Sequence, residues 1–466
     1  MPFKPDRKKK SKEYDVIVVG SGSGMMIVEN AVAAGLSTAL VDKGPAGGTC
    51  LNTGCIPSKM LMAVADRVME IGEADRFGLG ASIESIDFKR VMKEMREAVI
   101  PDHQHIHENL RADQRFDYYE GTGEFVDDKI LRVEDRSLQG KSIFLAAGAR
   151  PEIPAVEGLD KTDYLTSESL LQLEEVPPRL AIIGGGYIAA EYGHFFSAMG
   201  SRVTIMQSDS RLVPGAEPEV SEALRQAYEK RMTVYVHTLA QAIEKNNGEY
   251  KITGTDQATG RAVTVTADQV LVATGRRSNA DLLRVEKSGI DTDQRGFIKA
   301  DNYLRTSRED IWAFGDIIGK KMFTHVAYEE AGLAWHNSRD KSQKEFNYRP
   351  APQAVFSYPQ IASVGLTEAA AQKEYDNILV GRARYLDVAK GMALREQAGF
   401  AKAIVNQKDL TIVGFHIFGP QAAVLIQEIV TIMALGGKLN LLAGSMHIHP
   451  ALSELVLKPF NNLEPV

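Results

Sequence analysis

Only two cysteines occur in the 466 residues, and no apolar run approaches the length that spans a bilayer. So few thiols exclude a cysteine-built structural zinc site, which needs four nitrogen or sulfur ligands. Tryptophan is equally scarce; Trp312 and Trp335 are expected in the core or between domains. Positive charge is not in excess either: the net charge is −7, which argues against nucleic acid as a general partner. The one basic cluster, Lys4 to Lys12, lacks the apolar stretch of a signal peptide, so residues 1–12 read as a disordered tail. The expectation is a cytoplasmic protein with no membrane partner and no metal. Its length supports three domains.

What chemistry the chain has is concentrated. Both cysteines fall in one phrase, GGTCLNTGCIPSK, as Cys50 and Cys55. The spacing places Cys50 in a loop entering a helix and Cys55 in that helix's first turn, so the thiols can meet as a small disulfide ring. Backbone N–H groups and the helix dipole stabilise a thiolate there. A structural disulfide across so short a loop would constrain the unfolded chain little, and a reducing compartment would not keep it. The pair reads as redox-active.

The apolar, β-branched run YDVIVVG reads as a buried parallel strand and leads into GSGSG and a helical pattern. The next strand ends in Asp42, 22 residues after Gly20. Strand, glycine turn, helix, strand and acid make a dinucleotide site: Gly20 forms the turn, Gly22 admits a pyrophosphate, and Asp42 accepts from ribose hydroxyls. The same grammar repeats downstream, where Leu180 to Ile183 lead into Gly184, Gly186 and Ala189 and then the strand SRVTIMQ. The runs IFLAAGARP and VLVATGRRS, carrying Gly148 and Gly275, are a matched pair of strands ending in a small-Gly-basic turn. The fold class expected is α/β: two tandem Rossmann-like dinucleotide-binding domains and a C-terminal α+β domain beyond the Pro-rich FNYRPAP.

The phrases GSGSG, GGTCLNTGCIPSK, AAGARP, GGGYIAAE, ATGRRSN, WAFGD, HVAYEEAG, FSYPQIASVGLTE and HIHPALSE together resemble the pyridine nucleotide-disulfide oxidoreductase family, over essentially the whole chain after residue 13. The resemblance implies FAD on residues 13–152 and 279–348, NAD(H) or NADP(H) on 153–278, and a homodimer formed through 349–466. It implies that Cys50 is the interchange thiol that meets a disulfide or dithiol substrate and Cys55 the thiolate against the flavin. Lys59 and Glu191 match the ion pair beside the flavin, Asp316 the carboxylate on its ribityl chain, and Tyr187 the ring that shields it. His449 and Glu454 match the acid-base pair given by the neighbouring subunit, a role that thiol exchange near neutral pH itself demands. The resemblance further implies that Gly24, Lys43, Gly48, Thr49, Gly148 and Ala327 help bind FAD, and that Ile188, Gln207 and Gly275 help bind the nicotinamide dinucleotide. The His449-Pro450 bond is expected to be cis.

Three positions depart from the family pattern. Met25 replaces the third glycine of the first turn, so helix and strand are expected to pack slightly further apart. Asp42 replaces a glutamate. Gln207 takes the position that reads the ribose, where an acid repels a 2′-phosphate and an arginine attracts one. The phrases resemble dihydrolipoyl dehydrogenases best, with a lipoyl-bearing protein as substrate. Mycothione reductase-like reduction of a small disulfide is the alternative, and a mercuric reductase-like activity is disfavoured because a C-terminal cysteine pair is missing. His103, His105 and His107 alternate near a helix end and read as solvated residues rather than metal ligands.

Overall fold

The computed structural model describes residues 11–466, so most of the expected basic tail lies outside the described residues. Lys12 does not belong to that tail. It opens the first strand, Lys12–Val19, in register with Leu138, and its ammonium lies 2.6 Å from Asp117. The described residues form two compact units. One comprises 11–57, Met95–Glu152 and Arg276–Phe346; the other comprises Ser58–Glu94, Ile153–Gly275 and Asn347–Val466.

In the first unit the β-branched run is the centre of a parallel sheet. The order is Asp117–Glu120, Thr38–Asp42, Lys12–Val19 and Arg136–Leu145, and Ile311–Ala313 pairs parallel with the last. Val16 to Val18 are fully buried, as expected of a strand covered on both faces. Two antiparallel strands, Gly123–Asp127 and Ile130–Val133, extend the sheet. Trp312 stacks on Phe144 within this core, and Trp335 packs against it.

The second unit holds the repeat, a parallel sheet in the order Thr233–Tyr235, Arg202–Met206, Arg179–Ile183 and Gln269–Val272. A three-stranded antiparallel sheet, Thr238–Asn246, Glu249–Asp256 and Ala262–Ala267, packs with it in one core. Residues 347–466 contribute a six-stranded antiparallel sheet against the apolar helix Ala422–Ala434.

The two glycine turns superimpose in their constraints. Gly20 has φ +108°, and a Cβ there would lie 2.3 Å from the Ala146 carbonyl oxygen. Gly184 has φ +111°, and its Cβ would lie 2.2 Å from the Ala273 oxygen. No L side chain fits either place. The expected wider packing at Met25 is corrected by its neighbour: a Cβ on Gly24 would lie 2.2 Å from the Gly20 oxygen and 2.9 Å from Val18 Cγ1. Gly24 thus supplies the close helix-strand approach one residue early, and Met25 is released to begin the helix Met25–Ala33.

Candidate active site

Cys50 lies in a five-residue helix, Gly48–Asn52, and not in the loop expected from its spacing, whereas Cys55 does begin a helix, Cys55–Gly72. The tight run GGTC turns before it reaches Cys50, because Gly47 and Gly48 both take positive φ. The two sulfurs are not bonded to each other in this structure, and the Cys50 thiol lies within hydrogen-bonding reach of Cys55. That hydrogen bond first, and burial second, push the Cys50 thiol up, so Cys50 keeps its proton. Cys55 Sγ also lies 3.5 Å from the Thr324 hydroxyl. Cys50 stands on the wall of a cavity of about 570 Å³ in the first unit, whereas Cys55 is not part of its lining.

In the second unit, Gly186 precedes the helix Tyr187–Ala198, whose first turn carries Tyr187 and Ile188 and whose second opens with Glu191. Glu191 is buried and accepts two hydrogen bonds from Lys59 Nζ, at 2.9 and 2.8 Å. It also accepts the Phe356 N–H at 3.0 Å, and the Phe356 ring lies 4.7 Å beneath the ammonium. One helical turn on, His194 is wholly buried. Arg231 donates to its Nδ1 at 3.0 Å, so its Nε2–H must donate to Asp66, also at 3.0 Å. The helix Cys55–Gly72 therefore meets Tyr187–Ala198 through two polar rungs, Lys59–Glu191 and Asp66–His194. Gln207 is buried, packs on Gly185 and donates its amide to the Arg211 carbonyl at 3.2 Å.

His449 is exposed, with Nδ1 2.9 Å from Glu454 Oε1, and the Ala451 N–H donates to the other oxygen of Glu454 at 3.1 Å. These bonds, that of His449 foremost, hold the Glu454 carboxyl below the ordinary carboxylate range. The carboxylate holds the ring through Nδ1 and leaves Nε2 on its other side. The His449-Pro450 bond is cis, as expected.

Comparison with known proteins matches residues 14–331 to the pyridine nucleotide-disulphide oxidoreductase model and residues 351–459 to that family's dimerisation domain. The chain belongs to the pyridine nucleotide-disulphide oxidoreductases. Its relatives include mercuric reductase of Staphylococcus aureus, 34% identical over 89% of this chain and 76% of the relative. Mycothione reductase of Mycobacterium tuberculosis (strain ATCC 25618 / H37Rv) is 33% identical, over 95% and 98%. Dihydrolipoyl dehydrogenase of Bacillus subtilis (strain 168) is 32% identical, over 96% and 95%. Among solved structures, the HOCl-induced flavoprotein disulfide reductase RclA from Escherichia coli shares 25% identity, with a TM-score of 0.84 over 96% of this chain and 99% of that one. The family is FAD-dependent with NAD(P)H as electron donor, and its dimerisation domain indicates a homodimer. Among the described residues no helix is long and apolar enough to cross a membrane.

The residues present fit FAD. A Cβ on Gly48 would lie 2.9 Å from Gly22 Cα, so two bare backbones face each other where a pyrophosphate must approach. Asp42, at the end of its strand, is oriented by the Ser21 and Gly44 N–H groups; Lys43 beside it is exposed and Thr49 lies in the short helix. Burial raises the Asp316 carboxyl, with Arg276 opposing, yet Arg276 Nε stops 3.6 Å away and is buried without a hydrogen-bond partner. A polar group between them would satisfy both. Ala327 is buried in the first turn of Thr324–Arg339, under Gly315. Gly148 and Gly275 both take positive φ at the ends of the paired strands.

Sequence reasoning missed Thr324, Arg276 and Phe356, whose phrases were visible but whose partners lie far away in the chain. His107 is 3.5 Å from Glu120 and edge-on to Tyr118, and the three alternating histidines sit inside the helix Phe88–Ala112 rather than at its end.

Proposed function

We propose that this oxidoreductase is a dihydrolipoyl dehydrogenase, which converts a dihydrolipoyl group and NAD⁺ to a lipoyl group, NADH and a proton. The observation that carries this reading is the cysteine pair, in which Cys50 opens on a cavity and Cys55 turns to Thr324. A substrate thiol, deprotonated by His449 of the partner subunit, attacks Cys50 of the Cys50-Cys55 disulfide. The sulfur–sulfur bond breaks, a mixed disulfide forms on Cys50, and Cys55 leaves as the thiolate, favoured by its place at the start of a helix. The second substrate thiol then displaces Cys50, which takes a proton, and the lipoyl disulfide closes. Bound FAD supplies the two-electron link from this dithiol to the nicotinamide. Asp42 and Asp316 would hold it, and Glu454 keeps His449 oriented through each proton transfer.

With only two cysteines, the chain has no second thiol pair to carry Hg(II), which weighs against mercuric reduction. Gln207 favours a second reading, NAD(P)H-dependent reduction of a small disulfide, because a neutral amide does not repel a 2′-phosphate. Steady-state rates with dihydrolipoamide, lipoamide and a panel of small disulfides, each with NAD(H) and NADP(H), separate the two. Dihydrolipoamide with NAD⁺ as the best pair supports the dehydrogenase, and a small disulfide with NADPH as the best pair overturns it.

A further inference from the structure

The cavity that Cys50 opens onto has a composition that constrains its occupant. Its walls are mainly aliphatic: Val28 and Val32 come from the helix Met25–Ala33, Leu51 from beside Cys50, and Ile106 and Leu110 from the helix Phe88–Ala112. Such a wall rewards the burial of an alkyl arm. Three ionisable side chains other than Cys50 and Tyr328 reach it: Glu29, Asp113 and Arg115. Asp113 and Arg115 satisfy each other, with Nη2 to Oδ2 at 2.6 Å and Nε to Oδ1 at 3.0 Å. Glu29 is exposed, and its carboxylate acts on Arg115 and Tyr328 only through space. The lining therefore carries two carboxylates against one guanidinium, and the surplus negative charge sits on Glu29.

Tyr328 joins this charge to the reacting sulfur. Burial raises its phenol and Glu29 adds to the effect, so the ring that lines the cavity with Cys50 and Glu29 is neutral. A ligand whose sulfur meets Cys50 and whose arm follows the aliphatic wall comes within the field of Glu29.

We propose that this cleft selects thiols and disulfides borne on an uncharged aliphatic arm, and that Glu29 is the residue that turns anionic ones away. The inference deepens the reading of the protein as a dithiol oxidoreductase with Cys50 as the exchanging thiol, and rests on it. Dihydrolipoamide and dihydrolipoate differ only in the terminal group, neutral in one and a carboxylate in the other. Two like charges roughly 8 Å apart at a partly hydrated site reduce binding by about 3- to 10-fold.

The test measures kcat/KM for both compounds with the FAD-loaded protein and NAD⁺, in wild type, Glu29→Gln and Glu29→Lys, at low and high salt. The wild type prefers the amide about 3- to 10-fold at low salt, and salt shrinks the preference. Glu29→Gln abolishes it and Glu29→Lys reverses it. Equal wild-type efficiencies, or a preference that survives both substitutions, overturn the proposal. Should neither lipoyl compound turn over, the dehydrogenase reading fails by itself. Reduction of neutral N,N′-diacetylcystamine against dianionic dithiodipropionate by NAD(P)H then decides the cleft: a preference for the neutral disulfide that Glu29→Lys reverses upholds it, and equal rates overturn it.

Discussion

Glu191 grips Lys59 with both carboxylate oxygens, at 2.9 and 2.8 Å, while only 5% of its own side chain is exposed. Lys59→Met leaves this carboxylate buried with the Phe356 N–H as its remaining donor. The cost expected is about 1–3 kcal/mol, since a buried charge loses its partner. Glu191→Gln removes the charge but keeps an acceptor for Phe356 and costs less. Urea unfolding midpoints of the wild type and the two variants, all FAD-loaded, check the order; a Lys59→Met midpoint equal to the wild type's would show that the ion pair contributes little.

In the proposed mechanism His449 and Glu454 act on the dithiol and not on the nicotinamide. His449→Gln is expected to lower dihydrolipoamide oxidation by about 10²- to 10⁴-fold. Glu454→Gln, which loosens the ring without removing it, should cost less. NADH oxidation by a dye acceptor bypasses proton transfer at the substrate and should change little in either variant. Parallel losses in both assays would move His449 out of the proposed role.

Two buried histidines set a pH dependence of stability. Burial lowers both His194 and His416 below their unfolded value, outweighing the neighbouring carboxylates Asp66 and Glu217. Each is neutral in the folded protein, whereas in the unfolded chain it takes up a proton below about pH 6.5. The unfolded state thus binds more protons, and stability falls with pH below about 6.5, by up to about 1.4 kcal/mol per pH unit per site. Thermal midpoints between pH 7.5 and 5.5 should fall in the wild type and fall less in His194→Gln and His416→Gln. The slope is the readout, because each substitution also shifts the midpoint itself.

Coenzyme choice is expected to turn on Gln207, whose amide is tied to the Arg211 carbonyl at the end of the strand Arg202–Met206. A neutral side chain there gives weak discrimination, about 5- to 30-fold in favour of NAD(H), equivalent to roughly 1–2 kcal/mol. Gln207→Glu should sharpen the preference and Gln207→Arg should turn it toward NADP(H). Efficiency ratios for the two coenzymes measure this, and a wild-type ratio above about a thousandfold either way would assign the reading of the ribose elsewhere.

The local features were the legible ones. Each glycine turn is written in consecutive residues, so Gly20, Gly184 and their strands could be read without tertiary information. The errors came where a neighbour compensates or a turn intervenes. Gly24 takes over the close approach that Met25 gives up, and two left-handed glycines turn the chain early enough to place Cys50 in a helix. The cleft itself was invisible in the sequence, because helices some 220 residues apart bring Ile106 and Tyr328 to one wall. Spacing in sequence says nothing about such meetings.

The central claim is that the only two cysteines of the chain form a redox couple reached by nicotinamide. Anaerobic alkylation followed by intact-mass measurement counts that couple without ambiguity, since no other thiol contributes. The oxidised, FAD-loaded protein, unfolded in alkylating agent, should carry no adduct. After NADH reduction and anaerobic removal of the excess, it should carry two. Two adducts before reduction, or none after it, would contradict the account.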